Sequence, residues 1–236
     1  MKKVIHTADS RGRAEHGWLS SHFSFSFAEY YNPERIHFGM LRVLNDDTIQ
    51  AGMGFGMHPH NNMEIITIPL SGSLEHRDSM GNGSIIKAGE VQYMCAGTGV
   101  RHSEFNPSST DIATLLQIWV LPKLHNIEPR YDQIAFNPEN LINQWLLVVS
   151  PDGIDNSLII NQNAWFSLTK TQKDKRISYK NQLDGNGMYL FVIEGEINVA
   201  GQLLKKRDAI GISETESIDI EVIEEAYLLL MEIPMR

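Results

Sequence analysis

Apolar positions along this chain recur at intervals of two far more often than at three or four. The stretch "SHFSFSFAEYY" (21–31) places Phe23, Phe25 and Phe27 on one face of a half-buried strand. "MEIITIPLSG" (63–72), "SIIKAGEVQYM" (84–94) and "IATLLQIWVL" (112–121) are rich in β-branched and aromatic residues and are bounded by Gly, Asn and Pro. The pattern resumes late in the chain with "WLLVVS", "SLIINQNAWFSLTK", "MYLFVIEGEINVAG", "DAIGIS" and "SIDIEVIEEAYLLLMEI". No long stretch carries a helical period, so the elements predict an all-β sandwich or barrel. Between the two groups of strands lies "PKLHNIEPRYDQIAFNPENLINQ" (122–144), polar and interrupted by Pro122, Pro129 and Pro138. It reads as an irregular connector with at most a short helical turn.

The two groups echo each other. "IITIPLSGSLEH" (65–76) followed by "KAGEVQYM" (87–94) matches "YLFVIEGEINVAG" (189–201) followed by "KRDAIGIS" (206–213) in layout. In each, an apolar strand reaches a Gly, a second strand follows, and a lysine-led turn with an acidic residue opens the next strand. Two copies of one β-unit account for this.

Composition adds exclusions. The 236 residues are 42% hydrophobic and 21% charged, ordinary for a globular protein with a substantial core. A formal charge of −9 argues against direct nucleic-acid binding, and the basic runs at 170–176 and 205–208 read as solvated edges. "MKKVIHTADS" lacks the apolar core of an export signal, and no run approaches the ~18 apolar residues of a membrane helix. The one cysteine, Cys95, forms no internal disulfide, which fits a cytoplasmic protein. "NGS" (82–84) reads as an Asn-Gly hairpin turn, and "GMGFG" (52–56) and "GTG" (97–99) as turns, since neither opens a helix as a dinucleotide loop must.

The candidate chemistry lies in the histidines. All nine lie at or before residue 125, and the second half has none. Residues i and i+2 of a strand share a face, so His58 and His60 point one way, and His102 and Glu104 do likewise. Two strands each offering a same-face pair can converge on one point. Three neutral imidazoles and a carboxylate suit a divalent transition metal such as Fe(II), Cu, Ni, Mn, Co or Zn. Strand parity admits Glu64 as well as Glu104 as the carboxylate. His76 and His125 are expected to be hydrogen-bonded residues rather than ligands and Cys95 a packed small residue, while Met57, Met94 and Trp119 are core by default, with the lining of an apolar pocket as their alternative.

Gly52 stands six residues before His58 and Glu64 four after His60. Gly72 follows Glu64 by eight, and Asn106 follows His102 by four. These spacings resemble the paired motifs of the cupin superfamily. Within it, "HGWL", "FSFAEYYNP", "HPHNNMEI", "EHRDSMGN", "AGTGVRHSEFNPS" and "QIWVLP" resemble the pirin family over most of the first half. The resemblance implies a bicupin of two jelly-roll barrels. Residues 1–125 would form the metal-binding domain, 126–144 the connector and 145–236 a degenerate second cupin. It carries over His58, His60, His102 and Glu104 as ligands. It departs from the wider cupin pattern, in which Glu64 would ligate, and leaves Glu64 to orient a histidine from behind the ligands.

The resemblance further implies a metal-dependent oxidoreductase of the quercetin 2,3-dioxygenase type, most readily with Fe(II). Its substrates would be dioxygen and a small flavonol-like aromatic, opened with loss of carbon monoxide, and Glu104 would be the base. The alternative it implies is a non-catalytic, redox-sensing iron protein acting through a protein partner.

Overall fold

The computed structural model describes residues 1–236 and contains twenty strands, three short 3-10 turns and no α-helix. The all-β expectation holds. Two sheets build the first half. The larger runs, in order, Arg130–Ala135, Glu90–Cys95, Glu64–Ser71, Ala113–Val120, Leu41–Ile49, Leu19–Phe23 and Gly12–Glu15. The smaller runs Gly54–His60, Val100–Phe105, Ser73–Asp78 and Gly83–Lys87.

The second half repeats this order with its two sheets fused through long strands. Lys2–His6, Ala209–Ser213, Gly187–Val199, Ser217–Ile233, Trp165–Thr171, Leu146–Ser150 and Leu158–Ile159 form the large sheet. The far ends of Gly187–Val199 and Ser217–Ile233 pair with Gln202–Lys205 and Arg176–Lys180 to make the small one. The lysine-led turns of the echo also match. The Lys87 amide donates to Glu90 at 2.8 Å and the Lys205 amide to Asp208 at 2.9 Å.

Three stretches depart from the sequence reading. The strand expected over 21–31 ends at Phe23, and Phe25 joins the core between the halves rather than sharing a face with Phe23 and Phe27. Lys2–His6, assigned to the first half, pairs with Ala209–Ser213 of the second. Arg130–Ala135, expected inside an irregular connector, is a strand paired along Glu90–Cys95. Each half thus lends the strand that precedes it to the sheet of the other. The cause is tertiary: both recipient strands would otherwise leave a row of backbone groups unpaired at a sheet edge. The short helical turn expected nearby is present at Pro138–Leu141.

The large sheets face each other across the principal core of 27 buried residues. Ile66, Ile68, Leu116 and Ile118 project from the first half, and Tyr189, Phe191, Leu229 and Met231 from the second. Because both faces of these strands are covered, they read as continuous apolar runs rather than clean alternation. Ionic contacts reinforce the join. Asp46 is held by Arg207 of the second half at 3.0 Å and by Arg11 at 3.5 Å. Each half then keeps an interior of its own between its large and small sheets.

Candidate metal centre

His58 and His60 lie on Gly54–His60, which pairs with Val100–Phe105 so that His102 faces His58. The strands approach closely because residue 54 is glycine: a Cβ there would stand 2.2 Å from the Glu104 carbonyl oxygen. "GMGFG", read as a turn, therefore turns only at its start, and its last three residues lie in the strand.

The rings of His58, His60 and His102 converge, with centroids 4.4 to 4.9 Å apart. Their ligating nitrogens lie within 4.8 Å of one another. The His58 Nδ1–H donates to the Gly56 carbonyl at 2.8 Å, which leaves Nε2 with a free lone pair. His102 is buried, and its Nε2 has no partner. Desolvation, reinforced by the neighbouring imidazoles, lowers the His102 pKa to about 2 and that of His60 to about 4. Both rings are neutral at pH 7, the form that binds a metal.

Glu104 is buried on the same strand. Its carboxyl groups with His102 and His76 within 4.8 Å, rather than with the full set of three imidazoles. Oε2 accepts from Gln117 Nε2 at 2.9 Å, and Oε1 is buried without a partner. Burial raises the Glu104 pKa to about 7, opposed by the hydrogen bonds it accepts. The unpartnered His102 nitrogen and Glu104 oxygen, beside two imidazoles with open lone pairs, fit a divalent cation. Its charge would offset their desolvation.

Glu64 stands elsewhere. It is fully buried and accepts from the Asn161 and Gln162 amides at 3.0 and 3.4 Å and from the Tyr93 hydroxyl at 3.3 Å. It fastens the first half to a loop of the second. The expectation that it orients a histidine is corrected: its strand belongs to the large sheet, and its carboxyl is directed to the far side of that sheet's end.

Two residues left out of the site by the sequence reading belong behind it. His76 is buried, stacks on Tyr131 with centroids 4.6 Å apart, and lies opposite Glu104 in the small sheet. Its Nε2 is 3.2 Å from Asp78 Oδ2, and its Nδ1 is 3.4 Å from His102 Nδ1. One proton arrangement satisfies the whole chain. His76 Nε2–H donates to Asp78 and His102 Nδ1–H donates to His76, so His102 Nε2 is left to ligate. "HRD" at 76–78 has the same i, i+2 spacing as "HPH", which was the available signal.

Glu104 is held from the opposite sheet by a second chain. Gln92 donates to Thr67 at 3.2 Å, Thr67 to Gln117 at 3.1 Å, and Gln117 to Glu104. These residues lie side by side on adjacent strands, with Asn45 next in the row. The centre opens into a cavity of about 510 Å³ walled by Trp18, Phe23, Phe27, Phe55, Ile65 and Trp119. Trp119 packs edge-on against His60 with centroids 4.9 Å apart. Met94 is core as expected, while Met57 is half exposed and His125 lies on the surface. Cys95 is buried, and burial pushes its thiol up.

Residues 4–120 match the family model described as Pirin, and residues 147–233 that of the quercetinase C-terminal cupin domain. The chain is 42% identical over 234 residues to the quercetin 2,3-dioxygenase of Escherichia coli K12, covering 98% of both chains. The chain belongs to the pirin family. A pirin-like protein of Caulobacter vibrioides is 37% identical across 95% of this chain and 96% of its own. The crystal structure of the pirin YhhW of Escherichia coli superposes with a TM-score of 0.95 at 41% identity, covering 99% of this chain and 98% of that one. The same pirin in complex with nickel(II) gives 0.94 at 40% identity, covering 99% of each. This chain is accordingly a bicupin.

Proposed function

We propose that this pirin is a metal-dependent dioxygenase that opens flavonols at the 2,3-bond with release of carbon monoxide. One observation carries the reading: His102 Nε2 and Glu104 Oε1 are both buried without partners, at the floor of an aromatic-walled cavity. A pair of such groups is costly unless a cation and substrate use it. The relatives named quercetin 2,3-dioxygenase support the substrate class.

His58, His60, His102 and Glu104 would hold the ion, and Fe(II) is the metal we propose. When bound, a divalent ion supplies Lewis-acid stabilisation of the deprotonated 3-hydroxyl of the flavonol. With Oε1 free of the ion, Glu104 would take that proton there while Gln117 holds Oε2 by its hydrogen bond. The aromatic walls clamp a planar ring system and exclude water from the activated carbon. Cytoplasmic location is part of the proposal.

The test is elemental analysis of protein purified without added metal, followed by reloading with Fe(II), Cu(II) or Ni(II) and exposure to quercetin under air. Loss of flavonol absorbance with stoichiometric carbon monoxide is expected, abolished in His58→Ala and Glu104→Ala. Silence with every metal would discard the dioxygenase in favour of a redox-sensing protein.

A further inference from the structure

Two polar residues in the cavity are used by neither the ligand set nor its supporting chains. Asn45 and Asp47 lie on Leu41–Ile49 at i and i+2, so both project inward. Both are 3% exposed. Asn45 Oδ1 is buried with no hydrogen-bond partner. Asp47 accepts from the Ser21 hydroxyl at Oδ1 only, leaving Oδ2 open. Asn45 sits directly across from Gln117, one strand beyond the residue that holds Glu104. A core built for stability would not keep an unpartnered amide beside a half-satisfied carboxyl, because each forfeits the hydrogen bonds it had in water. The free atoms are the acceptors Asn45 Oδ1 and Asp47 Oδ2 and the donor Asn45 Nδ2, so the missing partners are groups that both donate and accept, as hydroxyls do. The aromatic rings around them call for those groups on a flat aromatic frame.

We propose that Asn45 and Asp47 form a second polar subsite that binds ring hydroxyl groups of a polyphenolic substrate, separate from the group presented to the metal ligands. This rests on the flavonol reading above and narrows it: the preferred substrates carry hydroxyls beyond the 3-position. Aromatic shape is read by the walls, and hydroxylation is read by Asn45 and Asp47.

The experiment compares quercetin with 3-hydroxyflavone, which has only the 3-hydroxyl. Binding to nickel-loaded protein is followed without oxygen by quenching of the cavity tryptophans. Wild-type protein should bind quercetin about tenfold more tightly, as expected for hydrogen bonds to otherwise unpaired buried groups. Asn45→Leu and Asp47→Asn should each lower that preference several-fold. Asn45→Leu keeps the volume and removes an unpaired polar group, so its melting temperature should equal or exceed that of wild type, whereas a structural role would lower it. Equal affinities in the wild type, no binding of either flavonol, or a preference unchanged in both variants would overturn the subsite. Failure of the dioxygenase reading shows separately, as absent turnover in air, and leaves the binding ratio to decide the subsite.

Discussion

The two halves share one topology and differ in what fills them. Pairing register places each site residue opposite a counterpart. His58 and His102 are paired with each other as Ile177 and Ile220 are, through Ile220's place between Arg176–Lys180 and Gly187–Val199. By the same register His60 corresponds to Tyr179, Glu104 to Val222, His76 to Ile197 and Asp78 to Val199. In the facing sheet the row Gln92, Thr67, Gln117, Asn45 corresponds to Ile210, Leu190, Leu230, Ser167. Nearly every counterpart belongs to one apolar cluster of 16 buried residues. The barrel itself therefore requires none of the site chemistry. The second half shows the fold filled for stability, and the first shows it hollowed and made polar for binding.

The largest expected effect comes from removing a ligand. His102→Ala should reduce bound metal to about a tenth or less of wild type and abolish turnover, because one of few neutral donors is lost. Elemental analysis and the quercetin assay check this. The converse change probes the other barrel. Ile177→His with Ile220→His should cost about 3 kcal/mol or more by burying unpaired imidazoles in a packed core. The melting temperature should fall on the order of 5–10 °C, with no metal gained. Metal binding there would mean that ligands alone, without the cavity and its supports, make the site.

Smaller effects sharpen the account of those supports. His76→Phe keeps the stacking on Tyr131 but removes the acceptor for His102 Nδ1–H. Metal affinity should drop about 10- to 100-fold, as measured by competition with a chelator. Gln117→Leu should lower kcat about tenfold with a smaller change in metal content, since it frees Glu104 Oε2 rather than a ligand nitrogen. The smallest is a pH effect at the join. Burial raises the Glu64 pKa to about 7, above its unfolded value, so the group favours folding fully in acid. That contribution is lost as pH rises through about 7. The melting-temperature advantage of wild type over Glu64→Gln should therefore shrink between pH 5 and pH 8.

Much of this was legible in the strand pattern. The period of two, the Gly-bounded runs and the repeated lysine-led turn are local, and a strand's alternation carries directly from sequence to structure. "HPH" and "HSE" were readable for the same reason, since i and i+2 share a face whatever the strand pairs with. Other features depended on pairing. "NGS" was read as the hairpin turn, yet the bend falls at 79–81 and is held by Asp78, which accepts from the Met80 and Asn82 amides. His76 looked like an ordinary core residue until its strand was laid beside His102. Glu64 had acceptable parity for a ligand, but parity gives a face and not the sheet to which that face belongs.

The chain by itself determined that the protein is all-β, that it is built twice over, and that imidazole chemistry is confined to the first copy. Backbone alternation and residue inventory need no partner to be read. Only the tertiary structure decided which carboxyl joins the histidines, how Asp78 and His76 turn His102, and that each half borrows an edge strand from the other. Those outcomes depend on which strands become neighbours, a question of burial and backbone pairing between residues as close as Asp78 and His102 or as distant as Lys2 and Ser213, which no local pattern encodes.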